Sequence, residues 1–273
     1  MPEIAEVETV RNVLKKRILN KKIKDVKILY KNIVENDEKE FKGILINNEF
    51  RDILRKGKWL IFELNNHYLI SHLRMEGKYF LKNSDEKQEK HEHVIFTFVD
   101  NTDLRYHDTR KFGKMKIVLK EDLNNTEEIK KQGIEPIDDN LNSNYLLEKF
   151  KNKKLPMKTI LLDQTIISGL GNIYADEVLY AAKIHPLKLA KDVTKKECES
   201  IVKESKKIIE KAIKEGGTTI KSYTSSLGVM GNYQNYLKVH TKENKVCEIC
   251  KEKIKKIKVG GRSTYYCEVC QKL

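Results

Sequence analysis

Four of the five cysteines fall within 24 residues near the C-terminus, as Cys247-x2-Cys250-x16-Cys267-x2-Cys270. Each Cys-x2-Cys turn can offer two thiolates from one tight knuckle, and two knuckles close a tetrahedral Zn²⁺ site. Two disulfides are the competing reading. They are disfavoured in a chain that opens Met-Pro-Glu-Ile-Ala-Glu-Val-Glu, acidic where a secretory signal is basic and apolar. Four thiolates leave no position open for water, so one structural ion is expected rather than a catalytic one. Between the knuckles lie Lys253–Lys258 and Gly260-Gly261-Arg262-Ser263-Thr264. This reads as a short basic hairpin whose tip turns Arg262 toward a phosphate, a groove or plain solvent.

The remaining chain is long enough for two or three modules, with 273 residues of which 39% are hydrophobic. No apolar run approaches the ~20 residues of a membrane helix, so a soluble intracellular protein is expected. The formal charge is +14, and Lys outnumbers Arg 46 to 8. That balance suits a polyanionic partner, or simply a lysine-coated surface. The scarcity of arginine singles out Arg74, Arg110 and Arg262.

Ile4, Val7, Val10, Leu14 and Ile18 recur at three- and four-residue steps, which predicts a helix over 3–19. Glu3, Glu6 and Glu8 sit where its dipole favours negative charge. From Lys22 to about Leu119 the period changes to two. Strands are expected at Trp59–Leu64, Tyr68–Leu73, Val94–Val99, Leu104–His107 and Lys114–Leu119, with a hairpin turn at Asn65-Asn66 and a mobile polar loop at Asn83–Glu92. A polar linker, Asp122–Asn144, leads into helical patterns near 145–151, 157–164, 172–183 and 195–215. Thr194-Lys-Lys-Glu197 is a capping box for the last helix, Gly216 is its stop, and Cys198 belongs to its apolar face.

Three further patterns carry chemistry. Gly169-Leu-Gly171-Asn172 opens a helix, where freed N–H groups can hold a phosphate or simply turn the chain. Pro2 follows an initiator Met1 that is readily removed before a small residue. Removal would leave a secondary amine with a pKa near ~8, against ~10.4 for lysine, and hence a useful free-amine fraction at neutral pH. Such an amine can attack a sugar C1′, and Glu3 beside it can deliver a proton. Lastly, His72-Leu-Arg74-Met75-Glu76-Gly77 and Asp108-Thr-Arg110-Lys-Phe112-Gly113 set apolar groups beside charge. Met75 and Phe112 can be wedges that fill the hole left by an extruded base. On the residues alone, ordinary core positions are the favoured reading of both.

Together these segments resemble the formamidopyrimidine-DNA glycosylase family. The resemblance runs through Pro2–Arg11, Lys56-Gly57-Lys58, His72–Gly77, Asp108–Gly113, Gly169–Glu177, Gly216–Tyr223 and the Gly260-Gly261-Arg262 hairpin. It implies an α+β multidomain fold. An N-terminal helix plus antiparallel β-sandwich would occupy 1–130, a helix-two-turns-helix domain 131–235, and a β-hairpin zinc finger 236–273, with DNA crossing the cleft.

The resemblance also implies roles. Pro2 is the nucleophile and Glu3 the general acid/base. Lys58 and Arg262 join the catalytic set by gripping phosphates, together with His72 and Asn172. His91 and Lys158 are further DNA contacts. Met75, Arg110 and Phe112 fill the void, with Arg110 donating to the orphaned cytosine. Glu76, Thr218 and Tyr223 bind the lesion, and Cys247, Cys250, Cys267 and Cys270 hold one structural Zn²⁺. The implied activity is excision of oxidised purines followed by β,δ-elimination. The implied partner is duplex DNA carrying oxidised bases or abasic sites, met by a cytoplasmic, nucleoid-associated monomer with no membrane role. Two rivals remain: the endonuclease VIII branch for oxidised pyrimidines, and a non-catalytic zinc-finger DNA-binding protein. One departure is visible. Ala5 stands where the family usually has a second proline, which should alter the helix entry rather than the chemistry.

Overall fold

The computed structural model describes residues 1–218 and 231–273. They form two compact units. The first comprises 1–130 with 216–218 and Gly231; the second comprises 131–215 with 232–273.

The first unit opens with α1 (Ile4–Ile18), whose periodic residues Ile4, Val7, Val10, Leu14 and Ile18 are buried as expected. Glu3 is its N-cap and forms a capping box with Glu6. Ala5 is the second helical residue, where a backbone N–H has no partner inside the helix. A proline is therefore tolerated there but not required, and the entry survives its absence.

After β1 (Ile23–Ile28) comes α2 (Glu38–Leu45), started by the Asp37 side chain accepting from the N–H groups of Lys39 and Glu40. The sequence reading placed this helix inside a run of strands. Then follow β2 (Asp52–Lys56), β3 (Trp59–Glu63), β4 (His67–His72), β5 (Lys78–Asn83), β6 (Glu92–Phe98), β7 (Thr102–His107) and β8 (Lys114–Leu119). They make two four-stranded sheets, ordered β1-β6-β7-β5 and β2-β3-β4-β8. Every pairing is antiparallel. Phe50 sits at the centre of the sandwich, its ring 5.1 Å from Phe62 of one sheet and 5.9 Å from Phe96 of the other.

Two connections bring the expected site segments together. His72, ending β4, pairs with Lys114, which starts β8; Lys78, starting β5, pairs with His107, which ends β7. The turns 73–77 and 108–113 therefore both cross between the sheets at the same end. The 83–92 loop, expected to be mobile, is instead tied down by Arg105. This buried side chain donates to the carbonyls of Asn83 and Glu86 and to the carboxylates of Glu92 and Asp103.

In the second unit, after the short α3 (Glu127–Lys130) that closes the first, come α4 (Ser143–Phe150), α5 (Met157–Leu161), α6 (Asn172–Ala181) and α7 (Lys195–Lys214). The Thr194–Glu197 capping box is present, and Cys198 is buried on the apolar face of α7 with Ile201, Ile209 and Ala212. A two-stranded hairpin, β9 (Lys255–Val259) and β10 (Arg262–Tyr266), completes the unit.

Candidate active site

The head of α1 is buried, with Met1 alone left exposed at its end. Pro2, Glu3 and Glu6 are buried. Glu6 accepts the Glu3 N–H at 2.8 Å through one oxygen. Through the other it accepts the Thr218 N–H at 2.7 Å and its hydroxyl at 3.0 Å. Gly217 has φ +76°, and a Cβ there would stand 2.8 Å from that oxygen, so the close approach needs glycine. The chain's first amine lies among Glu3, Glu6, Lys58 and Glu76. Its pKa falls below the usual α-amino value, mainly by burial and with help from Lys58, against the pull of the three carboxylates. Lys58 itself is buried, in the β2–β3 turn.

His72 is buried at the end of β4, edge-on to Trp59 at 4.7 Å. Its Nδ1 accepts the Arg74 N–H at 2.9 Å, which assigns the ring proton to Nε2. Burial, then Arg74 and Lys58, push its pKa down to about 3. His72 is thus a neutral donor at physiological pH.

The paired turns carry the next group. Asp108 has no exposed surface; its carboxylate accepts the N–H groups of Arg110, Phe112 and Gly113 at 3.0, 2.9 and 2.8 Å. This clamp pushes the turn outward. Phe112 is 51% exposed, and the Arg110 guanidinium stacks 4.8 Å over its ring. Met75 is half-buried and Arg110 exposed. The core reading of Phe112 is therefore corrected: a buried carboxylate holds the backbone of its turn, and the aromatic ring is left to solvent. His91, at φ +74°, sets its ring against His107 and His93.

In the second unit Lys158 is fully buried. Its ammonium donates to Asp176 at 2.6 Å and to the Asn172 carbonyl at 2.8 Å. Asp176 also meets His240 Nδ1 at 2.7 Å. Asn172, first residue of α6, donates its side-chain N–H to the Ser263 carbonyl of β10 at 2.9 Å. That bond ties the helix start to the hairpin. Gly260 and Gly261, at φ +54° and +75°, make the tight reversal that presents the exposed Arg262.

The four Sγ atoms of Cys247, Cys250, Cys267 and Cys270 lie within 4.8 Å of one another. Cys247–Cys270 is 3.8 Å and Cys250–Cys267 is 3.3 Å. A tetrahedron with Zn–S of about 2.3 Å has sulfur edges near 3.8 Å, whereas a disulfide is about 2.05 Å. The donor set fits one closed structural zinc. The Tyr180 hydroxyl lies 3.1 Å from Cys247 Sγ. Burial raises that thiol's pKa, but the Tyr180 bond and the N–H groups of Ile249 and Cys250 pull it below the usual thiol value.

Comparison with known proteins bears on this arrangement. The formamidopyrimidine-DNA glycosylase N-terminal domain matches residues 1–115, the H2TH domain of the same enzyme 132–224, and the zinc finger found in FPG and IleRS 244–273. A formamidopyrimidine-DNA glycosylase of Mycoplasma genitalium is 44% identical over 276 residues, spanning 100% of this chain and 96% of that protein. The chain belongs to the formamidopyrimidine-DNA glycosylase family. Among solved structures, a Lactococcus lactis FPG mutant bound to a Fapy-dG-containing DNA superposes with a TM-score of 0.95 at 40% identity, covering 100% of both chains. The Lactococcus lactis Fpg bound to an abasic-site DNA gives 0.94 at 40% identity, covering 99% of this chain and 100% of that one.

Against the family pattern, the first unit gathers Pro2, Glu3, Lys58, His72, Met75, Glu76, His91, Arg110, Phe112 and Thr218. The second holds Lys158, Asn172, Arg262 and the cysteines. Tyr223 lies outside the described residues. Sequence reasoning passed over Asp108 as the anchor of its turn, Tyr180 beside the thiolates, and Asp176 and His240 around Lys158. Only Asp108 left a signal, an aspartate followed by turn residues whose N–H groups it can accept.

Proposed function

We propose that the chain is a bifunctional DNA glycosylase and AP lyase of base excision repair. It acts on oxidised purines in duplex DNA through the amine of Pro2. The observation that carries this reading is the burial of Pro2 at the head of α1 with the buried Glu3, Glu6 and Lys58, which act on the chain's first amine. In the untrimmed chain that amine is Met1's; removing Met1 makes the Pro2 nitrogen the chain's amine, adjoining Glu3.

The Pro2 nitrogen bonds to C1′ as the bond from C1′ to the base breaks. The base leaves with the electron pair and takes a proton, and Glu3 protonates the opening sugar ring. A secondary amine gives an iminium, which acidifies the C2′ proton. Loss of that proton expels the 3′-phosphate, and a further elimination expels the 5′-phosphate. Water then releases Pro2. The products are the free base, the sugar remnant released as an unsaturated aldehyde, and a one-nucleotide gap with phosphate ends. Zinc, when bound to the four cysteines, supplies structure alone by fixing the hairpin that carries Arg262.

Lys58, His72, Asn172 and Arg262 grip phosphates; Met75, Arg110 and Phe112 occupy the vacated stack; Glu76, Thr218 and Tyr223 read the lesion; His91 adds a backbone contact. Lys158, with no exposed surface, serves DNA binding through the Asn172 carbonyl it holds. Module boundaries at 130 and 235 are part of the proposal. Among the described residues no helix is long and apolar enough to cross a membrane. A cytoplasmic, nucleoid-associated location is part of the proposal.

Borohydride trapping on a duplex with 8-oxoguanine opposite cytosine, followed by mass spectrometry of the linked peptide, tests the reading. A link at Pro2 supports it. A link at a lysine moves the nucleophile. Trapping on an oxidised pyrimidine alone assigns the other branch. No link on either lesion, with Met1 absent and zinc bound, leaves a DNA-binding protein without chemistry.

A further inference from the structure

The turns 73–77 and 108–113 are braced as one piece. His93 Nε2 donates to the Asp108 carbonyl at 2.8 Å, and the Asp108 carboxylate holds three N–H groups of its own turn. The Gly77 N–H donates to the Leu73 carbonyl at 2.8 Å, closing the other turn. The Tyr106 hydroxyl lies beneath both. A Cβ at Gly77 would come within 2.2 Å of it, and one at Gly113 within 1.7 Å. Above this floor, the exposed Thr109 hydroxyl donates across to the Glu76 carboxylate. Thr109 follows Asp108 and precedes Arg110; Glu76 follows Met75. The bond therefore ties the wedge on one turn to the arginine and aromatic on the other.

We propose that Thr109 is a specificity-determining positioning residue, whose hydroxyl sets the Glu76 carboxylate before a base arrives. This rests on the reading of Glu76 as a lesion contact. A β-branched side chain is stiff at χ1, so the hydroxyl direction is fixed by the backbone that Asp108 clamps. A free glutamate has three rotors to order on binding; one held in advance meets the extruded base at lower entropic cost. The arrangement matters only when a base occupies the site, since a preformed abasic site offers Glu76 nothing to contact.

The test uses the zinc-loaded, Met1-trimmed enzyme. Thr109→Val keeps the shape and removes the donor; Thr109→Ser restores the hydroxyl. Excision of 8-oxoguanine opposite cytosine is compared with strand cleavage at a preformed abasic site, for each variant alone and combined with Glu76→Ala. For Thr109→Val the expected result is about a tenfold drop in kcat/KM for excision, the scale of one charge-assisted hydrogen bond. Cleavage at the abasic site should change much less, Thr109→Ser should recover most of the loss, and Thr109→Val should add nothing in the Glu76→Ala background. Equal losses on both substrates, or additive losses in the double variant, overturn the proposal. If Glu76→Ala costs excision and Thr109→Val does not, Thr109 alone is refuted. If neither matters, the lesion role of Glu76 falls with it.

Discussion

Arg110 and Arg262 are both presented to solvent on short reversals, but the two reversals are held by different forces. The turn of Arg110 hangs from Asp108, a buried carboxylate beneath a sandwich whose core runs from Val7 to Ile117. The hairpin of Arg262 has almost no core of its own. Tyr180, Val239 and Ile254 pack with the cysteines, and the hairpin adds the buried Val259, Thr264 and Tyr266. A large apolar core can absorb the cost of burying a charged anchor, whereas so small a cluster needs metal–sulfur bonds in place of area. The perturbations that loosen one arginine should therefore leave the other in place.

Removing zinc should do the most. Structural zinc contributes roughly 10–16 kcal/mol to small modules of this kind, so chelation or Cys267→Ser should melt the hairpin. Affinity for abasic duplex at fixed salt, measured by fluorescence anisotropy, should fall at least about a hundredfold as the phosphate contacts proposed for Arg262 and Asn172 are lost. Trp59 is the single tryptophan and is buried on β3 of the first unit. Its emission should stay constant, and a change on chelation would break the comparison by joining the two regions energetically.

Asp108→Ala comes next. It strands three N–H donors at once, so a loss of about 3–5 kcal/mol in the urea unfolding of the Trp59 signal is expected, with zinc content unchanged. A loss below about 1 kcal/mol would mean that the turn is held by its surroundings rather than by the carboxylate.

These expectations also mark what was legible in the chain. Lys114–Leu119 is a strand over the residues expected, and the strands expected near residues 59 and 68 shift by one residue at most, because apolar alternation over a sandwich is a local signal. The four-cysteine cluster was legible because its spacing is itself the constraint. α2 was not, since Phe41 and Leu45 supply only two buried positions and its start depends on one Asp37 side chain. Nor was the fate of the 83–92 loop, which depends on an arginine more than ten residues farther along. The core reading of Phe112, favoured on the residues alone, failed for a related reason. An aromatic ring counts as core until the hydrogen bonds of its own backbone are known.

Gly113→Ala should cost less, about 1–3 kcal/mol, the usual range for overpacking. Its Cβ would meet the Tyr106 hydroxyl at 1.7 Å and the ring carbon behind it at 2.7 Å. Tyr106→Phe removes the nearer atom, so the double variant should recover part of the loss in thermal midpoint. No recovery would place the strain in the backbone. The corresponding change at Gly261, where no atom lies within 4 Å of the added Cβ, costs only the positive φ of +75° and should leave zinc binding intact.

The smallest effect distinguishes the regions by pH. His72 is held neutral in the folded state with its pKa down at about 3, while the unfolded chain returns it to about 6.5. Between those values the unfolded state binds the extra proton. The stability that His72 contributes is therefore complete above pH 6.5 and is lost as the pH falls toward 3, at up to about 1.4 kcal/mol per pH unit. His72→Asn keeps a polar group without a titration. Its urea midpoint, followed through Trp59, should decline less steeply than wild type from pH 6.5 to 4.5, with a difference of about 1 kcal/mol by pH 5.5. Parallel slopes would show that His72 takes up its proton without unfolding. The neutral donor inferred from the Arg74 contact would then be replaced by a charged one, and phosphate affinity should rise on acidification instead of staying flat.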